Sequence, residues 1–142
     1  MTKSLSLLLA LFSLTLTSLA QSQSKQPTPV YLTSDCDDSV GSQAASAFRE
    51  KIRGSNGYAL ASDPTKGHSG FEVLLTCAAV PGHETGASAV SYVFDAFLPD
   101  ETRYFVTPGV GVVGTDRVDK WAQIIFSQFD NWVSSVQKTT TK

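Results

Sequence analysis

Apolar side chains change their spacing several times along the chain, and each spacing predicts a different element. After a short strand that starts at 30–32, apolar residues recur at helical intervals from Val40 to Ile52, behind helix-starting residues at 35–39, and Gly54 ends this helix. Apolar runs bounded by turn-forming residues predict four further strands, at Tyr58–Ala61, Phe71–Val80, Ala87–Leu98 and Arg103–Thr107. A last helix begins around Thr115 or Asp116 and carries one apolar stripe: Val118, Trp121, Ile125, Phe129, Trp132 and Val136.

This order of elements defines the expected fold class. The order β-α-β-β-β-β-α is typical of an α+β two-layer sandwich, in which a mixed sheet of about five strands carries two helices on one face. Short turns such as Pro99–Thr102 join the later strands, so we expect these strands to form an antiparallel meander.

The fourth predicted strand indicates which face of the sheet is covered. Its even-numbered positions are all apolar and are expected to meet the helices: Val90, Tyr92, Phe94, Ala96 and Leu98. Its odd-numbered positions are mixed in character: Ser91, Val93, Asp95 and Phe97. We expect this second set to be half solvated or covered by a partner, and therefore to form an interaction face.

The first twenty residues have the pattern of a secretory signal peptide. Lys3 precedes an apolar run at 5–16, and small residues at 18 and 20 form a signal-peptidase site. Because the apolar run is shorter than a membrane-spanning helix, we expect a periplasmic or secreted protein without a membrane anchor. Cleavage after Ala20 predicts a mature chain with three parts: a flexible tether at 21–29, a single domain at 30–136 and a frayed tail at 137–142.

Composition and charge argue against two classes of binding partner. The full chain has 11 basic and 13 acidic side chains, and loss of Lys3 with the leader gives the mature part a net charge of about −3. The basic residues are scattered, and the densest group is Arg49, Lys51 and Arg53. We therefore expect neither nucleic acid nor an acidic membrane surface as a partner.

The two cysteines, Cys36 and Cys77, form an even pair that favours a disulfide in an oxidising compartment. Such a bridge stabilises a fold by roughly 3 to 4 kcal/mol in the chain-entropy model. A crossover helix makes strands one and two parallel, and a direct hairpin into strand three would place Cys77 far from Cys36. Since bridged cysteines need Cα atoms within about 7 Å, two alternatives follow. Either the loop at 63–70 returns the chain across the sheet and makes strands one and three parallel, or the disulfide is absent.

A glycine pattern before the last helix resembles a cofactor motif. Gly109, Gly111 and Gly114 have the G-x-G-x-x-G spacing of a dinucleotide-binding turn. The sequence shows no strand after the helix to carry an acidic ribose ligand, and Asp116 would repel a pyrophosphate. We therefore expect no cofactor and interpret the glycines as a strand end or bulge.

The loop before the third strand resembles a catalytic motif at first sight. Gly67-His68-Ser69-Gly70 is close to a nucleophile elbow, but Phe71 occupies the position of the last glycine, and a loop enters a strand where an elbow leaves one. The only histidines, His68 and His83, lie at opposite ends of the third strand, roughly 33 Å apart at 3.3 Å per residue, so they cannot share a ligand. No catalytic residue is expected.

Asp35, Asp37 and Asp38 form the densest acidic group in the chain. Calcium and magnesium bind such carboxylates, but the spacing lacks the regular pattern and the late glutamate of an EF-hand loop. Aspartates before a helix are also explained by its unpaired amides and its dipole. Helix capping is therefore the preferred interpretation, and the three residues stay as metal candidates.

Three segments resemble small exported bacterial proteins of uncharacterised function. They are Asp37-Asp38-Ser39-Val40-Gly41, the run Phe48-Arg49-Glu50-Lys51-Ile52-Arg53 with Ser55 and Tyr58-Ala59-Leu60 after it, and Gly109-Val110-Gly111. This likeness covers most of the mature chain. The helix-to-strand part, about a third of it, also resembles the amino-terminal α/β domain of the TolB kind found in cell-envelope proteins. The chain has no motif through which partner-binding residues of that domain could be carried over.

These observations support two main hypotheses about function. The first is an exported, non-catalytic module that binds an envelope protein or a copy of itself through the mixed sheet face or an exposed edge strand. The alternative is a metal-dependent enzyme or a metal-binding protein centred on Asp35, Asp37 and Asp38. A third hypothesis, on which the sequence names no residues, is a small ligand bound between sheet and helices.

Overall fold

The computed structural model describes residues 26–62, 69–83, 86–98 and 102–140. Within these ranges the elements follow the predicted order. The strands are β1 (Thr28–Cys36), β2 (Tyr58–Ala61), β3 (Gly70–Ala79), β4 (Ala87–Phe97) and β5 (Arg103–Gly114). The helices are α1 (Ser39–Arg53) and α2 (Val118–Thr140), and a 3-10 turn at Thr115–Arg117 leads into α2. The predicted signal peptide, most of the tether and the loop that carries His68 lie outside the described residues.

The strands form one mixed sheet in the order β2-β1-β3-β4-β5. β1 is parallel to both β2 and β3, whereas β3, β4 and β5 form an antiparallel meander. Both helices contribute to a single hydrophobic core against one face of this sheet. The predicted α+β sandwich and its antiparallel second half are therefore confirmed.

Three elements extend by two residues or more beyond the sequence prediction. β1 starts inside the predicted tether at Thr28, because Thr28–Tyr31 pairs with β2. β5 continues to Gly114 instead of ending at Thr107, because the first half of β4 pairs with its glycine-containing part. α2 continues to Thr140, beyond the last residue of the predicted stripe.

The disulfide joins Cys36 and Cys77, which are direct partners in the parallel β1–β3 register with Cα atoms 4.3 Å apart. Of the two alternatives left by the sequence, the first is therefore confirmed. The chain returns across the sheet between β2 and β3, so that the two cysteine-bearing strands run in the same direction. Such bonds persist in oxidising compartments, which agrees with folding outside a reducing cytoplasm.

α1 begins where its capping residue stops the extended backbone of β1. Asp38 is the N-cap, and its Oδ1 accepts a hydrogen bond from the Gly41 backbone N–H at 2.7 Å. Gly54 ends the helix by donating its backbone N–H to the Glu50 carbonyl. The apolar positions of the helix that face the sheet are all buried: Val40, Ala44, Phe48 and Ile52.

The even-numbered face of β4 meets the helices as predicted. Phe94 is almost fully buried and its ring lies 5.3 Å from that of Phe129 on α2. Val90 and Ala96 are buried in the same core. Leu98 is an exception, because it lies beyond the end of β4 and its side chain is exposed.

Gly41 allows α1 to approach the disulfide closely. A Cβ atom at this position would lie 2.4 Å from Cys77 Cβ and 2.8 Å from the Ser88 hydroxyl oxygen, which are distances that packed atoms do not adopt. Because Cys77 and Ser88 belong to the central strands, neither can move without disturbing the sheet.

We expect Gly41→Ala to lower the free energy of unfolding by about 1 to 3 kcal/mol, because the added methyl group overpacks the contact between α1 and the sheet. Gly86→Ala is the matched control, since a Cβ atom there would meet nothing within 4 Å. Urea unfolding of both variants tests this. Equal stability of the two variants would show that α1 does not pack against Cys77 as described.

Candidate functional site

The sheet face opposite the helices, here called the outer face, carries the predicted interaction residues. Ser91 is exposed and Val93 is half-buried, as expected of an interaction face. Asp95 and Phe97 are only 4% and 7% exposed, so the prediction that they form accessible surface is wrong. Alternation along β4 identified the face correctly but could not show what covers it.

Phe97 is covered by an aromatic neighbour from β1. Its ring lies 5.3 Å from the ring of Tyr31, and both rings pack over Gly70 at the start of β3. A Cβ atom at Gly70 would lie 3.0 Å from the Phe97 ring, so the absence of a side chain there lets Phe97 lie flat on the sheet. This end of the outer face is therefore closed within the chain.

Asp95 is held by an ion-pair group that the sequence analysis missed. Glu72 on β3 lies directly opposite Asp95, and the two carboxylates would repel each other without a cation. Arg103 on β5 donates from Nη1 to Glu72 Oε2 at 2.5 Å and also to Asp95 Oδ2. The two hydrogen bonds raise the pKa of Arg103 above its ordinary value, and the bond to Asp95 has a larger effect than the bond to Glu72. Among the described residues, Asp95 Oδ1 is buried without a partner.

β5 exposes three of its four valines on the outer face and buries the fourth, Val113, against the helices. Val106, Val110 and Val112 are 55%, 79% and 67% exposed, and Pro108 lies exposed between them. These four side chains are here called the β5 surface. The helix-facing positions between them are Thr107, Gly109 and Gly111.

The glycines of the G-x-G-x-x-G pattern lie within β5 and make room for aromatic side chains. A Cβ atom at Gly109 would lie 2.1 Å from the Tyr92 ring, which crosses this position so that its hydroxyl donates to Gln128 Oε1 at 2.8 Å. At Gly111 the nearest atom is the Trp121 ring nitrogen, 3.7 Å away. The pattern is therefore part of an extended strand, and its geometry differs from a phosphate-binding turn.

β5 is an edge strand, and its backbone groups at alternate residues point away from the sheet. The Thr115 N–H donates to the Gly86 carbonyl at 3.1 Å, so these two opposed residues form a pair of the hydrogen-bonded kind in the β4–β5 ladder. Hydrogen-bonded and non-hydrogen-bonded pairs alternate along an antiparallel ladder. Counting back along β5, the backbone groups of Val112, Val110 and Pro108 therefore face outward, where the described residues contain no further strand. Pro108 has no N–H to present.

The three aspartates proposed as metal candidates do not converge. Asp38 uses both carboxylate oxygens within the fold, Oδ1 as the helix cap and Oδ2 as acceptor from the buried Ser88 hydroxyl at 2.8 Å. Asp35 and Asp37 are exposed. In the part of the chain that the structure describes, no three His, Cys, Asp or Glu side chains come together as metal ligands. The capping interpretation is confirmed for Asp38.

The other residues considered for catalysis or metal binding are His83, Ser69 and His68. His83 lies in the turn between β3 and β4, where its backbone N–H donates to the Val80 carbonyl. Ser69 is exposed and immediately precedes β3, as expected of a loop residue that enters a strand. His68 lies outside the described residues.

A polar cleft of about 510 Å³ lies between the start of β2 and α2. Tyr58 and Asp130 are in its wall, and the Tyr58 hydroxyl donates to Asp130 Oδ1 at 2.6 Å. The pKa of Tyr58 is raised above its ordinary value. Burial of the phenol is the largest cause, and the hydrogen bond to Asp130 and the charge of Asp130 add to it. The sequence offered no signal for this cleft, because its walls come from segments that are distant along the chain.

No protein-family model matches this chain, and no curated protein does either. Among the described helices, none combines the length and apolar character that crossing a bilayer requires.

We expect Arg103→Met to lower the free energy of unfolding by about 2 kcal/mol, because it leaves the buried Glu72 and Asp95 carboxylates side by side without a cation. The half-exposed position of Arg103 keeps this cost below that of a fully buried pair. Adding Asp95→Asn to Arg103→Met should restore part of the loss. Additive destabilisation by the two substitutions in urea unfolding would contradict this account.

Tyr58 gives a pH-dependent contribution to stability. Since the folded state raises the pKa of its phenol, its stabilisation is complete below the ordinary value of about 10 and is lost as the pH rises beyond it. We expect Tyr58→Phe to be less stable than the native chain by about 1 kcal/mol at neutral pH. This difference should shrink in urea unfolding above about pH 10, and a widening difference would refute the assignment.

Proposed function

We propose that this chain is an exported, non-catalytic interaction module that binds an envelope protein or a second copy of itself through the β5 surface. The observation that carries the proposal is the set of three valines that β5 exposes on the outer face. Three valines face outward, whereas glycines occupy two of the helix-facing positions between them. Only Val113 of the four β5 valines faces the core, so the strand exposes more aliphatic surface than closing the core requires.

The physical argument rests on the free energy of exposed aliphatic surface. Covering apolar area contributes about 25 cal/mol per Å², so three exposed valines on one strand favour a covered state. The apolar area continues inward, because Val93 lies beside Pro108 and Leu74 lies beside Val93 on the outer face. Contiguous apolar surface of this kind marks protein-interaction sites more often than scattered side chains do.

The edge of β5 is also open to a partner. Natural edge strands are commonly blunted by charged residues, but residues 104–114 contain none, and Pro108 is the only device of this type in the segment. An extended polypeptide could therefore add to the sheet at Val110 and Val112 through backbone hydrogen bonds while its side chains meet the valines.

The periplasm or the cell exterior is the proposed location. The signal-peptide pattern of residues 1–20 supports export, and the Cys36–Cys77 disulfide supports an oxidising environment. The resemblance to small exported bacterial proteins agrees with this location. For the metal hypothesis, the described residues provide no converging ligand set.

The experiment compares proteins retained by three immobilised forms of the chain from extracts of the exporting cell envelope. The forms are the native chain, the double variant Val110→Lys with Val112→Lys, and Ile124→Lys. Ile124 is an exposed aliphatic residue on α2, so its variant matches the type of substitution on another surface. We expect a partner that the native chain and Ile124→Lys retain and the double variant loses.

Circular dichroism of each variant should first show native helix and strand content, since the three substituted residues are exposed. If the double variant retains the same proteins as the native chain, the β5 surface is not the binding site. Loss of binding by Ile124→Lys to the same extent would likewise reject the proposal.

A further inference from the structure

The backbone of β5 restricts how a partner strand can be added. Outward-facing N–H groups are available at Val110 and Val112, but Pro108 offers only a carbonyl. A partner paired across Pro108 would lose a hydrogen bond there. The favourable segment therefore runs from Val110 to Gly114, a length of about 17 Å at 3.4 Å per residue.

This segment is compatible with its own copy. Two antiparallel β5 strands related by a two-fold axis at Val112 would place Val112 opposite Val112, and Val110 opposite Gly114. All of these positions have outward-facing backbone groups in both copies, so the ladder loses no donor to proline. The outer faces stay on the same side, and the opposed valines form a β-branched cross-strand pair.

Charge does not oppose this arrangement. Residues 104–114 carry no charge, although the chain as a whole is acidic and copies repel one another elsewhere. Asp116, the first charged residue after the segment, lies in the 3-10 turn, and the residue at its register position in the other copy, Pro108, is uncharged. The uncharged edge is thus a place on this acidic molecule where two copies can meet without like charges facing each other.

We propose that a second copy of this chain binds through antiparallel β5–β5 pairing centred at Val112, which joins the two sheets into one. This inference rests on the proposed function and specifies its partner. A five-residue ladder buries less area than the roughly 800 Å² per partner of a standard interface, so the dimer is expected to be weak and concentration-dependent.

Sedimentation velocity of the protein as purified from the exporting cell tests the pairing over a range of concentrations. Val112→Lys places two like charges opposite each other and should raise the dimer Kd about tenfold or more. Ile124→Lys should leave it unchanged. A chain that is monomeric up to about 1 mM overturns the inference.

A cysteine scan tests the register. Directly opposed residues of a hydrogen-bonded pair have Cα atoms about 5.5 Å apart, within the range of a disulfide. Val112→Cys should therefore form a covalent dimer under mild oxidation, visible on non-reducing electrophoresis. Val106→Cys is the matched control, because it is exposed on the same face of β5 but lies outside the paired segment. Equal cross-linking at both positions overturns the proposed register.

The two proposals can fail separately. If Val112→Cys forms no dimer but the Val110→Lys and Val112→Lys double variant still loses an envelope protein, the second-copy inference fails and the proposed function stands. If the double variant also retains every protein that the native chain binds, both fail.

Discussion

The parallel pairing of β1 with β3, held by the Cys36–Cys77 disulfide, connects the two halves of this fold. On one side of it lies the parallel part, β2 and β1, and on the other the antiparallel meander from β3 to β5. α1 packs against the same junction because Gly41 leaves space for Cys77. The core, the position of α1 and the placement of β5 at the edge all follow from this arrangement.

Placement at the edge gives β5 its distinctive surface. Tyr92 and Trp121 fill the space above Gly109 and Gly111 from the helix side, so the strand needs no side chains of its own at these two positions, and Val113 is its buried valine. Its other three valines face outward next to an open backbone edge. The part of the outer face around Asp95 and Phe97 is closed by the Tyr31–Phe97 contact and by Arg103, which leaves the apolar part of β5 from Val106 to Val112 accessible.

Much of the fold could be predicted from local patterns. The helical spacing from Val40 to Ile52 and the turn residues around β2 identified these elements with nearly correct boundaries, because period and capping are local properties. β5 was predicted too short, since glycines weaken the strand signal and the compensating Tyr92 lies on another strand. Exposure of Phe97 was also wrongly predicted, because Tyr31 is distant along the chain.

The amino-acid sequence by itself determined the order of elements, the apolar side of each and the even cysteine pair, since these depend on neighbouring residues and on composition. It left open whether β1 and β3 run parallel, and it predicted accessible surface at Asp95 and Phe97, which the fold buries, whereas the most exposed valines lie on β5. Only the tertiary structure decided these points, because strand direction, coverage of a face and the identity of an edge strand depend on which distant segments come together.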